Sequence, residues 1–404
     1  MVKYTVYTGL YDQISRKMTI FSLKLIAAIV YCKLAETKPS FNKELEVIHL
    51  GNKDYKSPKE RKPLLCATFF NPDSAKTYKN LEKNVNLTIN VCDWAVILYR
   101  GKEEKIDLAC KNIIKRPNVI HCKLCHHHLS NIESRKFPIA KSIQYRDLLP
   151  YLPKYERLMT LDEDISFSGF DFKKYMNIWN CAFSPLPPPL ITQPLISEST
   201  QYFPYLNKNS YMKLKPPIIA AQSNYLEQQV PMFDSRFFHW FVKHVLDKTS
   251  REISAKHVDW GANRIWCNAA KMYGTKVLGY PENFVSCAVI ANLSIHHLDF
   301  QNMLKSVNFH FIGWETISYY QHLYPSWIVE SSSEINPLDL SGHKKAKIIS
   351  NFNSTCSYNF TVNRPVENEI IGAHNASKND SKSVKRTNRD VHVKTTRQTG
   401  KRKT

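Results

Sequence analysis

The sequence predicts an α/β protein with a mainly parallel central sheet flanked by helices, and three observations predict it. From Pro63 onward, apolar runs of strand length alternate with stretches of helical periodicity, the order expected of βαβ units. Asn, Asp, Ser and Pro gather between those runs, where turns and helix caps are needed. The run from Leu158 to Leu161 stops abruptly at Asp162-Glu163-Asp164. Ligands of such sheets sit beyond the carboxyl ends of the strands, where Asp162 and Asp164 would face them.

The first strand is Leu64 to Phe70, closed by the turn Asn71-Pro72-Asp73, and Asp73 or Ser74 can cap the helix that follows. Val91 to Tyr99 is the second strand, Glu103 to Lys115 a helix, Asn118 to Cys122 a short strand, and Ile139 to Leu149 a helix before the acidic strand. Beyond it, Phe172 to Trp179 reads as a helix, and Leu190 to Gln193 and Val230 to Phe233 as strands. Asp234 or Ser235 caps a helix whose stripe of Phe237, Phe238, Phe241, Val245 and Leu246 has the spacing of core packing. A helix over Asn263 to Tyr273 ends at Gly274, and the strand Cys287 to Ile295 runs into His296-His297. Pro185 to Pro189 and the polar Gln222 to Gln229 read as loops, and there is no internal repeat.

A chain of 404 residues with 43% hydrophobic side chains can bury a large core, so the class is globular. Its net charge of +21 is uneven: Lys382 to Thr404 alone holds nine Lys or Arg against one Asp, with no apolar periodicity. No helix-turn-helix, zinc-finger or RNA-binding signature accompanies the charge, so no specific nucleic-acid partner is expected. The ten cysteines are scattered without a small-domain disulfide framework and do not settle the compartment. The run from His121 through Cys122 and Cys125 to His128 has the spacing of half a zinc site, but no second pair completes it.

Met18 to Tyr31 is mostly apolar, flanked by Arg16-Lys17 and Lys33, and resembles a weak signal-anchor. It falls short of the roughly 20 residues that span a bilayer and is interrupted by Lys24, so signal peptide, interfacial segment and buried helix stay open. The expected organisation is a cytosolic segment 1–17, an anchor 18–32, a lysine-rich stem 33–62, a folded domain 63–330 and a low-order basic tail 331–404. Asn86, Asn292, Asn353, Asn359, Asn375 and Asn379 begin glycosylation sequons, which matter only in a secretory compartment.

Alternation along an extended chain points Asp162 and Asp164 one way and Glu163 the other. A hard cation such as Mn2+ or Mg2+ could sit on the two aspartates and keep phosphate oxygens as further ligands; the alternative is an acidic turn in solvent. His296 or His297, at the end of a later strand, would add an imidazole to that ligand set.

The ordered series Asp162-Glu163-Asp164, Gln193-Pro194, Pro231-Met232-Phe233, Trp260-Gly261 and His296-His297 resembles a domain-of-unknown-function family of glycosyltransferases related to the glycosyltransferase-A fold. The resemblance covers roughly Leu64 to Asp299. It implies a Rossmann-like nucleotide-sugar half, a metal seat at Asp162 and Asp164, and an acceptor half built from the later segments. The expected enzyme is of the hexosyl- or pentosyltransferase class, with a UDP- or GDP-sugar donor and a glycan, protein or lipid acceptor, and the anchor-like segment Met18 to Tyr31 makes the expected setting a type II membrane protein of the Golgi or another secretory membrane. In that frame Lys141 and Arg146 would assist the phosphates, Asp162 and Glu163 would sit against the donor, and Asp93 would meet base or ribose. One position departs: the family reads Trp-Gly-X-Asp, and here the fourth residue is Asn263, whose amide cannot act as a general base. Asp259 could take that role, or Asp259 and Asn263 could both be helix caps. The alternative function is a catalytically inactive glycan- or nucleotide-sugar-binding protein on the same fold.

Overall fold

The alternating apolar runs assemble into one mixed sheet, ten-stranded among the described residues, with helices on both faces. A computed structural model describes residues 42–51, 53, 55–99, 103–124, 141–197, 218–246, 261–298, 317–329, 348–350 and 356–358. The strands are β1 (Lys62–Phe70), β2 (Asp93–Leu98), β3 (Val119–Leu124), β4 (Tyr155–Asp162), β5 (Ile165–Ser166), β6 (Ile191–Ser197), β7 (Ala220–Gln222), β8 (Met232–Asp234), β9 (Cys287–His297) and β10 (Ile348–Ile349). Their order is β10-β7-β9-β6-β8-β4-β1-β2-β3, with β5 paired to β9. The expected α/β class with mostly parallel strands is the one observed.

The helices are α1 (Asn42–Leu50), α2 (Ala75–Leu87), α3 (Glu103–Ile113), α4 (Lys141–Gln144), α5 (Phe172–Cys181), α6 (Ser235–Trp240, continued by a π-helical turn over Phe241–Leu246) and α7 (Trp266–Lys276). Alternation along the central strands serves two cores. Leu65, Ala67 and Phe69 join one cluster with Phe237, Trp240 and Tyr273, while Leu64, Cys66 and Phe70 join another with Leu81, Tyr175 and Trp179. Strands buried on both faces explain why the sequence shows continuous apolar runs here.

Caps set the helix starts. Ser74, not Asp73, accepts from Thr77 N at α2, and Asp234 accepts from the Arg236 and Phe237 amides at α6. Asp234 is also the centre of a buried ion network, 2.7 Å from Arg157 Nη1 and 2.9 Å from Arg236 Nη2, that joins β4 to β8 and α6. Gly274 does not end α7, which runs on to Lys276; a methyl at that position would land on the Phe284 ring.

Three features bear on the expected organisation. The stem contains α1, whose Val47 is fully buried and whose carbonyl accepts from Trp240 Nε1 at 2.8 Å. The tail contributes β10, and Cys356 is bonded to Cys181 on α5. The cysteines do form a framework: Cys66–Cys92, Cys110–Cys122, Cys181–Cys356 and Cys267–Cys287 are disulfides. That bond commits Cys122 and removes it from the half zinc site, whose remaining residues from Cys125 lie outside the described residues. The segment Met18 to Tyr31 and the tail from Lys382 also lie outside them. Among the described residues no helix is long and apolar enough to cross a membrane.

Candidate active site

Strand direction decides which ends share an edge. β1, β2, β3 and β4 are parallel; β8 is antiparallel to both β4 and β6, so β6 runs with β4, and β9 is parallel to β6. The carboxyl ends of β4 and β9 therefore open on the same side, and that edge holds both sequence signals, Asp162-Glu163-Asp164 and His296-His297.

Beyond β4 the chain does not continue extended. Residues 163 and 164 form a turn into β5, which pairs antiparallel with the end of β9, Ile165 opposite His297 and Ser166 opposite His296. The pairing places His297 Nε2 3.5 Å from Asp164 Oδ1. His296 points elsewhere and meets Ser197 Oγ through Nδ1 at 3.0 Å. Burial pushes the Asp164 carboxyl up, the neighbouring Asp162 charge adds to the rise, and His297 opposes it.

Asp162 forms an ion pair with Lys141 of α4, and the same ammonium donates to the Gln228 carbonyl at 3.0 Å. The Asp162 amide donates to the Gln229 carbonyl at 2.9 Å, so the segment 226–229 is fastened alongside the strand end. Arg146 lies farther on, half-buried in a 3-10 turn over Tyr145–Leu148.

Glu163 turns away from Asp162. Its Oε2 accepts from the Asn71 amide at 2.7 Å and its Oε1 from Tyr99 Oη at 3.1 Å, which ties the loops after β1 and β2 to the acidic turn. Burial, reinforced by the flanking aspartates, pushes its carboxyl up to about 7 against those two donors. Asn80 Nδ2 adds a bond to the Glu163 carbonyl at 3.0 Å.

The register places Asp93, the expected base or ribose contact, away from the acidic turn. Asp93 lies level with Leu65, and Leu65 with Leu158, four residues before Asp162. That is about 13 Å of strand toward the opposite edge. There Asp93 is buried against Lys62 Nζ at 2.6 Å and Tyr155 Oη at 2.7 Å.

Asn263 is neither an exposed base nor the cap of α7. It lies in a 3-10 turn, Ala262–Arg264, entered through Gly261 at φ 105°, and is 1% exposed. Its Nδ2 donates to Tyr225 Oη and to the Leu226 carbonyl, both at 2.8 Å. Asp259 and Trp260 lie outside the described residues.

The carboxylate that sequence reading passed over is Glu227. Its amide donates to Gln193 Oε1 at 2.8 Å, and its Oε1 accepts from Tyr225 Oη at 3.2 Å. Burial pushes it up to about 7, while Tyr225, the Gln228 amide, Arg264 and Lys141 all favour its charge. A signal was present: Glu227 is the one acid in the polar stretch 222–229, flanked by apolar Leu226 and Val230.

Two aspartates and an imidazole are the donors a manganese or magnesium ion takes, with room for phosphate oxygens. Asp164 and His297 already meet, and Lys141 holds the third donor. Among the described residues no three such side chains are gathered at ligating distance. The residues fit in kind, and closure around an ion requires Asp162 to leave or share its lysine.

No protein-family model matches the sequence, and no curated protein matches it. Among solved structures the chain is similar to the galactosyltransferase LgtC in complex with donor and acceptor sugar analogues, at 12% identity and TM-score 0.27, over 48% of this chain and 64% of that one. It is similar to the bifunctional glycosyltransferase WbbM at 9% identity and TM-score 0.25, over 67% of this chain and 52% of that one. The glycosyltransferase GlyE of Streptococcus pneumoniae aligns at 10% identity and TM-score 0.26, over 68% of this chain and 67% of that one. The chain thus spans less than two thirds of the first two structures.

Proposed function

We propose that the protein is a metal-dependent glycosyltransferase that moves a sugar from a nucleoside-diphosphate donor to a glycan, protein or lipid acceptor. The observation that carries this reading is the meeting of Asp164 with His297, beside the Asp162–Lys141 pair, at the carboxyl edge of the sheet. Asp162, Asp164 and His297 would hold Mn2+ or Mg2+, which when bound supplies positive charge to the diphosphate leaving group. Lys141, released from Asp162, is placed to pair with a phosphate oxygen and so stabilise the same developing charge. Glu163 holds the Asn71 and Tyr99 loops against the acidic turn, which keeps the donor side of the crevice in one conformation. The four disulfides favour an oxidising compartment, and with it the secretory lumen or Golgi.

Asn263 favours a second reading, an inactive nucleotide-sugar- or glycan-binding protein, because the position where the resembled family carries a carboxylate is here a buried amide engaged in structural hydrogen bonds. Calorimetric titration of the full chain with UDP- and GDP-sugars, with and without Mn2+, tests both readings. Manganese-dependent binding that disappears in the Asp162→Ala/Asp164→Ala double variant, together with release of nucleoside diphosphate, supports the transferase. Binding without turnover supports the inactive binder, and a folded wild type that binds no nucleotide removes the transferase reading.

A further inference from the structure

An inverting sugar transfer needs a base for the proton of the acceptor hydroxyl, and the Asn263 amide cannot be one. Hydrogen-bond direction at this residue shows what it does instead. The Leu226 carbonyl can only accept, so the atom of Asn263 facing it must be the amide nitrogen. The second hydrogen of that nitrogen goes to Tyr225 Oη, which then has its own hydrogen left for Glu227 Oε1. Among the described residues the buried Asn263 Oδ1 has no hydrogen-bond partner, so none of them draws the amide into the reverse orientation. The direction of the chain is therefore Asn263 to Tyr225 to Glu227. The Arg264 guanidinium, 4.5 Å above the Tyr225 ring, and Gln193, which takes the Glu227 amide, hold its members in place.

We propose that Glu227 is the base that takes the proton of the acceptor hydroxyl, and that Asn263 is a positioning residue acting through Tyr225. This assignment rests on the transferase reading above. In the step, the acceptor O–H bond breaks and its proton passes to the Glu227 carboxylate, while the acceptor oxygen bonds to the anomeric carbon. The bond from that carbon to the diphosphate oxygen breaks, its electron pair leaves with the nucleoside diphosphate, and the configuration inverts. The placement supports it: Glu227 adjoins Gln228 and Gln229, whose carbonyls are bound by Lys141 and by the Asp162 amide. Its carboxyl, raised by burial to about 7 and faced by Tyr225, the Gln228 amide, Arg264 and Lys141, is part-ionised near neutral pH, as a general base should be. An aspartate at 263 would accept the Tyr225 proton and turn that hydroxyl away from Glu227.

The test uses the full chain with Mn2+ and a panel of UDP- and GDP-sugars, water serving as acceptor, and reads nucleoside diphosphate release, nucleotide affinity and the configuration of the freed sugar. Glu227→Gln is expected to lower turnover by about 10²–10⁴-fold with nucleotide affinity within about twofold of wild type. Tyr225→Phe removes a donor that favours the carboxylate, so the acid limb of kcat/KM should move to higher pH by roughly half a unit to one unit, which a purely structural role would not produce. Turnover of Glu227→Gln within about threefold of wild type, an unmoved acid limb in Tyr225→Phe, or retained configuration overturns the assignment while leaving the transferase standing. A wild type that neither binds nor turns over any donor removes the transferase and the assignment with it.

Discussion

Asp164 and His297 are far apart in sequence and meet at 3.5 Å because the two-residue strand β5 pairs with the last residues of β9. The contact depends on that pairing, since the chain turns at 163–164 instead of continuing β4. In the proposed site the two side chains share one cation. His297→Ala should therefore weaken Mn2+ binding at least about tenfold. His296→Ala should leave it nearly unchanged, because His296 bonds to Ser197. Calorimetric Mn2+ titrations of the two variants check this, and equal losses would remove His297 as the distinct ligand.

Lys141 has two partners here, Asp162 and the Gln228 carbonyl. If it moves to phosphate when donor binds, Lys141→Met should lower affinity for a nucleoside diphosphate by about tenfold, the worth of one charge-assisted bond. Mn2+ affinity in the absence of nucleotide should hold or rise, because Asp162 loses a competing cation. Paired titrations with Mn2+ alone and with Mn2+ plus UDP separate the two effects.

The Arg157–Asp234 pair is buried, and there the expected effect is on stability. Burial works against the Asp234 charge, but Arg157 and then Arg236 outweigh it and hold the carboxyl below the usual carboxylate range. A folded value below the unfolded one means stability that is present above the unfolded pKa and is lost as pH falls through the folded one. Asp234→Asn keeps a helix cap but leaves the Arg157 charge uncompensated, so it should cost about 3 kcal/mol at pH 7. The difference from wild type should shrink as pH drops below about 4. Urea unfolding at pH 7 and pH 3 measures both, and a constant difference would show that the charge is not what matters.

The sequence made the central strands legible because residues buried on both faces leave continuous apolar runs, as in Leu64 to Phe70 and Leu158 to Leu161. It did not reveal α1, β7 or β10. Each is short and is held by distant partners, α1 by Trp240, β7 by β9 and β10 by β7, rather than by its own pattern. The acidic turn and the late histidines could be read as strand ends, yet which histidine faces Asp164 depends on the β5–β9 register, a long-range fact. Asp93 opens β2, and a residue at the start of a parallel strand lies at the edge away from the carboxyl ends, so the strand pattern alone already separated it from Asp162. Glu227 stood out only as the one acid of a polar stretch; that Gln193 and Asn263 organise it is a long-range fact with no local sign.

The Cys181–Cys356 bond closes a sequence separation of 175 residues and ties residues 356–358 to α5. Tyr358 extends the attachment, its amide donating to Asn177 Oδ1 at 2.9 Å and its hydroxyl to Glu156 Oε2 at 2.5 Å. Glu156 precedes Arg157 on β4, so this strap reaches the strand that carries the acidic turn. Loop-closure entropy makes a cross-link of this length worth up to about 5 kcal/mol, of which native disulfides typically deliver 2–5 kcal/mol. Cys356→Ser should lower the unfolding free energy by that amount and raise amide exchange in 356–358 and at Asn177, with little change near Asp164. Hydrogen exchange with mass-spectrometric readout resolves these segments. Unchanged exchange at 356–358 in the variant would mean that the Tyr358 hydrogen bonds alone hold the strap and that the disulfide acts only on the unfolded chain.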